Sequence, residues 1–220
     1  MKILALDFSS PQRSVAVLPG ADAPGVEVVD ASPGRDMKPF ALIESALRQA
    51  GLEREAIECL AIGIGPGSYT GIRVALALAQ GWQLATGVKL LGISSVAVVA
   101  AQAVATGVSG RFNVVIDAQR GEFYLAGYEV VGGALLETTS LQLATATAVA
   151  EHSKSGELVI GPEVTRWFPE GRIIFPQASA LARLAVSRTD FLPGEKLEPI
   201  YLRETTFVKA PPARSLPFAL

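Results

Sequence analysis

Residues 63–73 read GIGPGSYTGIR, four glycines and a proline set between an apolar run, Cys59 to Ile64, and a helical one, Val74 to Ala85. Such a cluster marks the hand-over from a buried strand to a helix, the unit from which α/β folds are built. A glycine-rich turn there can bring backbone N–H groups to an anion at the helix N-terminus. It can equally let the helix press closely on a neighbouring element. The spacing is not that of a P-loop, since no lysine follows the last glycine. An anion site stays open, with Ser68 and Thr70 adding hydroxyls and Arg73 a charge. The packing reading uses more of the residues. Pro66 and Gly67 shape the turn, Ser68 or Thr70 caps the helix, and Gly71, Ala75 and Ala79 thin one of its faces. Tyr69 and Arg73 then stand out, because aromatics and arginine dominate interaction hot spots.

Working outward, Ile3 to Leu6 and Ser14 to Leu18 are short β-type runs joined by turn chemistry from Asp7 to Arg13. Gly25 to Ala31 predicts a third strand, and 35–50 a helix with Asp36 as N-cap and Gly51 as its stop. Apolar residues Met37, Phe40, Ala41, Leu42, Ile43, Ala46, Leu47 and Ala50 cover more than one stripe of that helix, which predicts burial on two sides. A strand over 57–64, a helix over 69–86, a strand over 89–93 and a helix from Ser94 or Ser95 to Ala105 complete the first half. The second half opens with strands at 112–117, 122–130 and 134–141 around turns at 119–121 and 132–133. A short helix over 145–152, a strand over 157–160 and a helix over 179–189 follow. Both halves run β-β-β-α-β-α and end their first strand on an aspartate, Asp7 and Asp117, which predicts a duplicated α/β unit. The expected organisation is an N-terminal lobe over 1–106, a C-terminal lobe over 107–204 and an extended proline-rich tail over 205–220.

Half of the 220 residues are hydrophobic and 18% are charged, enough for a sizeable core. Nineteen basic against 21 acidic residues give a formal charge of −2, no footing for a protein that grips nucleic acid unaided. The one cysteine, Cys59, rules out an internal disulfide and fits a reducing compartment. The apolar start is too short for a signal peptide, and no apolar run reaches the ~18–20 residues of a membrane helix. The expectation is a soluble cytoplasmic protein with no membrane contact.

With these residues placed, the chain resembles the TsaB (YeaZ) family. ILALDFSSPQRSVAVL (3–18) resembles that family's opening ILALDTST…SVAL hairpin, and GPGSYTGIR (65–73) its GPGSFTGLR signature. LLGISSVAVVA (90–100) is similar to its GVSSL segment, DAQRGEFYLAGY (117–128) to DAR-x-GE-x-Y, and EPIYLR (198–203) to EP-x-YLR. The resemblance implies an ASKHA fold, the architecture of actin, sugar kinases and Hsp70, with two related lobes. It implies a non-catalytic subunit that forms a heterodimer with TsaD. That enzyme transfers threonylcarbamoyl from threonylcarbamoyl-AMP to N6 of the adenosine 3′ of the anticodon in ANN-decoding tRNAs. TsaE, a P-loop ATPase, joins the assembly; ATP and ADP are used by the partner subunits, and tRNA is met through the complex. In the family the two N-lobe helices pack on their TsaD equivalents as a four-helix bundle. The docking residues this implies are Met37, Phe40, Ile43, Leu47, Tyr69, Arg73, Leu76 and Gln80, and the same face predicts a homodimer when the chain is alone.

The chemistry-bearing residues fit that expectation. TsaD-type enzymes hold a metal with two histidines four apart on the helix after the third strand. The matching segment here, GRDMKPFALIESAL (34–47), has none. The lone histidine, His152, lies in the other half and reads as exposed, so neither a metal site nor a catalytic residue is expected. Asp7, Ser9, Ser10, Gly67, Ser68 and Asp117 form a vestigial nucleotide or anion site on one reading. On the other, the two aspartates cap turns through nearby backbone N–H groups, and the missing lysine or arginine clamp favours this. The rival functions are an ATP-dependent ASKHA enzyme (a small-molecule kinase or a TsaD-like transferase) and, more weakly, a nucleotide-binding regulator. Arg120 can pair with Glu122 or reach tRNA; structural use of the 117–128 stretch, with Gln119-Arg120-Gly121 as its turn, explains more of it.

Overall fold

The computed structural model describes residues 1–32 and 38–202. Ile3-Leu4-Ala5-Leu6 is apolar at every position, the pattern of a strand covered on both faces, and β1 (Ile3–Asp7) is wholly buried. β2 (Arg13–Leu18) returns antiparallel to it and β3 (Val26–Asp30) antiparallel to β2. On the other side β4 (Cys59–Gly63) and β5 (Lys89–Ile93) pair in parallel, giving the order β3-β2-β1-β4-β5. The second sheet repeats this. β6 (Gly110–Asp117), β7 (Glu122–Val131) and β8 (Ala134–Thr145) form an antiparallel meander, with β9 (Leu158–Gly161) and β10 (Arg172–Ile173) parallel beside β6. Its order, β8-β7-β6-β9-β10, matches the first strand for strand and sense for sense. The predicted duplication is therefore real, and this is the ASKHA architecture.

Helices α1 (Pro39–Ala50) and α2 (Tyr69–Thr86) cover one face of the first sheet, where Ile43, Leu47, Ile72 and Leu76 meet Leu4, Leu6, Val15 and Leu60. α4 (Ala146–Lys154) covers the far face of the second sheet through Val149. α3 (Ser95–Ala105) and α5 (Ala178–Ala185) lie between the sheets, and each crosses over. α5, from the C-terminal half, packs on β1 and β2, while α3 packs on β6 and β8. The crossing is pinned by polar contacts. Ala178 N–H donates to Ser14 Oγ at 2.7 Å, and Ser179 donates to the Glu27 carboxylate from N–H at 3.1 Å and from Oγ at 2.7 Å.

Two expectations about α1 change. It begins at Pro39, behind Lys38 as N-cap; proline suits the first helical position, where its missing N–H is not needed. Asp36, Met37 and the predicted tail 205–220 lie outside the described residues. The helix also buries one stripe only, Ile43, Ala46 and Leu47, while Phe40, Ala41, Glu44 and Arg48 face solvent. After α5 the chain returns along α2. Leu192 pairs with Leu90, Leu197 enters the core, and Ile200 N–H donates to Ile64 O at 2.9 Å. Among the described residues no helix is long and apolar enough to cross a membrane.

Candidate functional site

The glycines of 63–73 are spent on packing. Ser68 N–H donates to Ser9 O at 2.7 Å, and a Cβ on Gly67 would lie 2.1 Å from that same oxygen. On Gly71 a Cβ would lie 1.9 Å from Phe8 O, so only glycine lets the first turn of α2 sit on the β1–β2 loop. Gly65 N–H donates to Ser95 Oγ at 3.2 Å and Ser95 N–H donates to Gly65 O at 2.8 Å, tying the turn to α3. Ser68 is the N-cap, its Oγ accepting from Gly71 N–H at 3.3 Å. The Gly65, Ser68 and Gly71 amides and the Ser68 hydroxyl are therefore engaged with the chain itself.

Between the lobes lies a cleft of about 600 Å³ lined by Ser9, Ser10, Gly67, Ser68, Asp117 and Tyr201, among others. The structure thus gathers five of the six residues of the expected anion site. Asp7 is the exception: it is fully buried, and its Oδ2 lies where a Cβ on Gly63 would be only 2.2 Å away. Oδ1 accepts from Ser9 N–H at 2.9 Å and Ser9 Oγ at 2.6 Å, while Oδ2 has no partner among the described residues. Burial pushes the carboxyl up to about 6, against the pull of the Ser9 bonds, with nearby Glu27 adding to the rise. Asp117 makes the equivalent turn, accepting from Gln119 N–H at 2.8 Å on Oδ1 and from Gln119 Nε2 at 2.7 Å on Oδ2. Gln119 and Arg120 both take left-handed backbone, φ 64° and 59°, uncommon for residues with side chains. Asp7 does not line this cleft, Ser10 Oγ donates to Gln12 O at 2.7 Å, and the charged lining residues are Arg13, Asp117 and Glu163.

His152 is half-buried rather than exposed. Its Nδ1 lies 2.9 Å from Glu157 Oε2, which also accepts from Asn113 Nδ2 at 2.7 Å; these bonds, Asn113's first, hold the Glu157 carboxyl below its usual range. Among the described residues no three His, Cys, Asp or Glu are grouped to hold a metal ion. Cys59 is buried, which pushes its thiol up to about 11.

The eight expected docking residues divide. Ile43, Leu47 and Leu76 belong to the chain's own core, because the stripe that carries them is the one facing the first sheet. The thinned face of α2, Gly71, Ala75 and Ala79, also turns inward. Gln80 is half-buried and donates to Gly194 O at 2.9 Å. Met37 lies outside the described residues. Phe40 and Tyr69 remain exposed, at 66% and 57%, with Arg73 beside Tyr69. The outward face of α2 instead runs through Thr70, Arg73, Ala77, Gly81 and Leu84, the last 90% exposed. The helical spacing of 70, 73, 77, 81 and 84 was the signal available for it.

Residues 39–193 match the family model described as tRNA N6-adenosine threonylcarbamoyltransferase, TsaD. The tRNA threonylcarbamoyladenosine biosynthesis protein TsaB of Escherichia coli K12 is 27% identical over 234 residues, covering 97% of this chain and all of that one. The crystal structure of a Pseudomonas aeruginosa protein described as similar to peptidase YEAZ superposes with a TM-score of 0.79 at 25% identity, over 92% of this chain and 99% of that one. YeaZ from the same organism gives 0.78 at 25% identity, over 91% and 99%. The chain belongs to the family that the threonylcarbamoyltransferase model describes, and within it to the TsaB (YeaZ) proteins.

Proposed function

We propose that this chain is a non-catalytic docking subunit in the synthesis of threonylcarbamoyladenosine in tRNA, and that it works by holding a TsaD-type enzyme on the outward layer of α1 and α2. The observation that carries the reading is the exposure of Phe40, Tyr69 and Leu84 along that layer, large apolar side chains that a partner would cover. The name of the Escherichia coli relative supports the pathway. A cleft whose hydroxyls and first-strand aspartate are engaged internally supports a subunit that binds no cofactor itself. On this reading a TsaE-type ATPase joins the pair, tRNA is met through the complex in the cytoplasm, and the chain alone forms a homodimer through the same layer.

The test is co-purification with the cognate TsaD-type protein, followed by tRNA modification with and without this chain. Phe40→Asp with Leu84→Asp should abolish co-purification and modification and leave the circular dichroism spectrum unchanged. Undiminished co-purification would refute the docking layer. Micromolar binding of Mg²⁺-ATP by calorimetry, with turnover by the isolated chain, would replace this reading by the ATP-dependent enzyme.

A further inference from the structure

The returning segment 192–201 runs antiparallel to α2, held at one end by Gln80 and Gln83 on Gly194 and at the other by Arg73 on Tyr201. Between them lies a groove of about 550 Å³. Ala77 and Pro199 supply the accessible apolar lining above Leu76 and Leu197 of the core, Arg73 stands at one end, and Glu195 and Glu198 stand exposed along the other side. Arg73 is positioned in advance. Its guanidinium carbon lies 4.0 Å from the centroid of the Tyr69 ring, and its Nε donates to Tyr201 Oη at 3.1 Å. Among the described residues neither Arg73, Glu195 nor Glu198 forms an ion pair. With Nε engaged, the two terminal nitrogens are left side by side, the fork that a carboxylate meets with two parallel bonds.

We propose that this groove receives a segment of the partner protein, with a carboxylate side chain on Arg73, an apolar side chain over Ala77 and Pro199, and a basic side chain towards Glu195 and Glu198. The inference rests on the docking role proposed above and adds what the partner must carry. Opposite charges on the two sides of the groove favour one orientation of the segment. Two rim carboxylates disfavour an RNA backbone, and the groove shares Arg73 and Ala77 with the outward face of α2, so one partner can engage both. Stacking on Tyr69 means that little side-chain freedom is lost when Arg73 is met, the usual property of a hot-spot arginine.

The experiment is titration of the cognate TsaD-type protein against full-length variants at low and high salt. Arg73→Glu should weaken binding by about 100-fold and Arg73→Lys by about tenfold, because lysine keeps the charge and loses the fork. Glu195→Lys with Glu198→Lys should weaken it about tenfold and flatten its salt dependence. Binding lost with Phe40→Asp and Leu84→Asp but unmoved by the groove variants would overturn the groove and leave the docking layer standing. Binding unmoved by either set would remove both. If deleting 204–220 tightens binding and the charge reversals do the same, the chain's own tail is the occupant and the proposal fails. It fails equally if the variants change only the binding of a tRNA anticodon stem-loop.

Discussion

Replacing Asp7 by asparagine should remove a definite part of the pH dependence of stability. The carboxyl is fully buried, Oδ2 has no partner among the described residues, and burial raises the group from 3.8 to about 6. The folded state thus holds the proton more tightly than the unfolded chain. Between those two values the native protein is protonated where the unfolded one is not, so stability falls as pH rises. The favourable contribution is complete below about pH 4 and gone above about pH 6. A difference of roughly 2 units corresponds to about 3 kcal/mol, a large share of the 5–15 kcal/mol typical of a folded domain. Asparagine keeps an oxygen to accept both Ser9 bonds and never ionises. Urea unfolding of both proteins at about pH 4, 5, 6 and 7 therefore isolates the group, since every other carboxylate cancels in the difference. The stability of Asp7→Asn relative to the parent should climb by about 3 kcal/mol across that range. A difference that stays flat to within about 0.5 kcal/mol would show that Asp7 ionises at its ordinary value, and the argument from its burial against Gly63 would fail.

Gly71→Ala should cost about 2–3 kcal/mol or more in denaturant unfolding, because its Cβ meets Phe8 O at 1.9 Å. Gly81→Ala, with nothing within 4 Å on the same helix, should stabilise by about 0.5–1 kcal/mol. Glu27→Ala should cost about 1–2 kcal/mol by leaving the N-terminus of α5 without its Ser179 partner, and amide exchange should accelerate first in α5. Leu47→Asp should unfold the chain by placing a carboxylate among Ile43 and its neighbours, whereas Phe40→Asp should leave the melting temperature within about 2 °C, as surface changes do.

What the sequence disclosed was whatever depends on local period. The unbroken apolar run of β1, the strand–turn–helix at 59–86 and the two Asp-ended first strands each carry their pattern within a few residues. From them the duplicated order of elements along the chain could be read. Orientation is another matter. Helix α2 carries two stripes of small residues, Gly71, Ala75 and Ala79 on one side and Ala77 and Gly81 on the other, and period alone treats them alike. The carbonyl of Phe8, a backbone group with no sequence signature, makes the first stripe the inner one. The same limit sent Ile43, Leu47 and Leu76 to the docking face, although they are the residues that hold α1 and α2 on the sheet. Strand β10, two residues long, exists only through its pairing with β9 and leaves no local trace.

Asp7 shows the limit most sharply. Its position at the end of β1, with hydroxyls following, is what a phosphate-handling aspartate would have. In the structure Gly63 of the adjacent parallel strand offers the space into which the carboxylate turns. Ser9 then closes the remaining oxygen from the cleft side with two bonds at 2.9 and 2.6 Å. A residue can therefore keep a motif's identity and lose its access. In this chain the same holds for the glycines at 67 and 71, which mark the family in sequence yet lie against the carbonyls of Ser9 and Phe8. The surface such packing leaves outward, Tyr69, Arg73, Ala77 and Leu84, is where a partner can still be met.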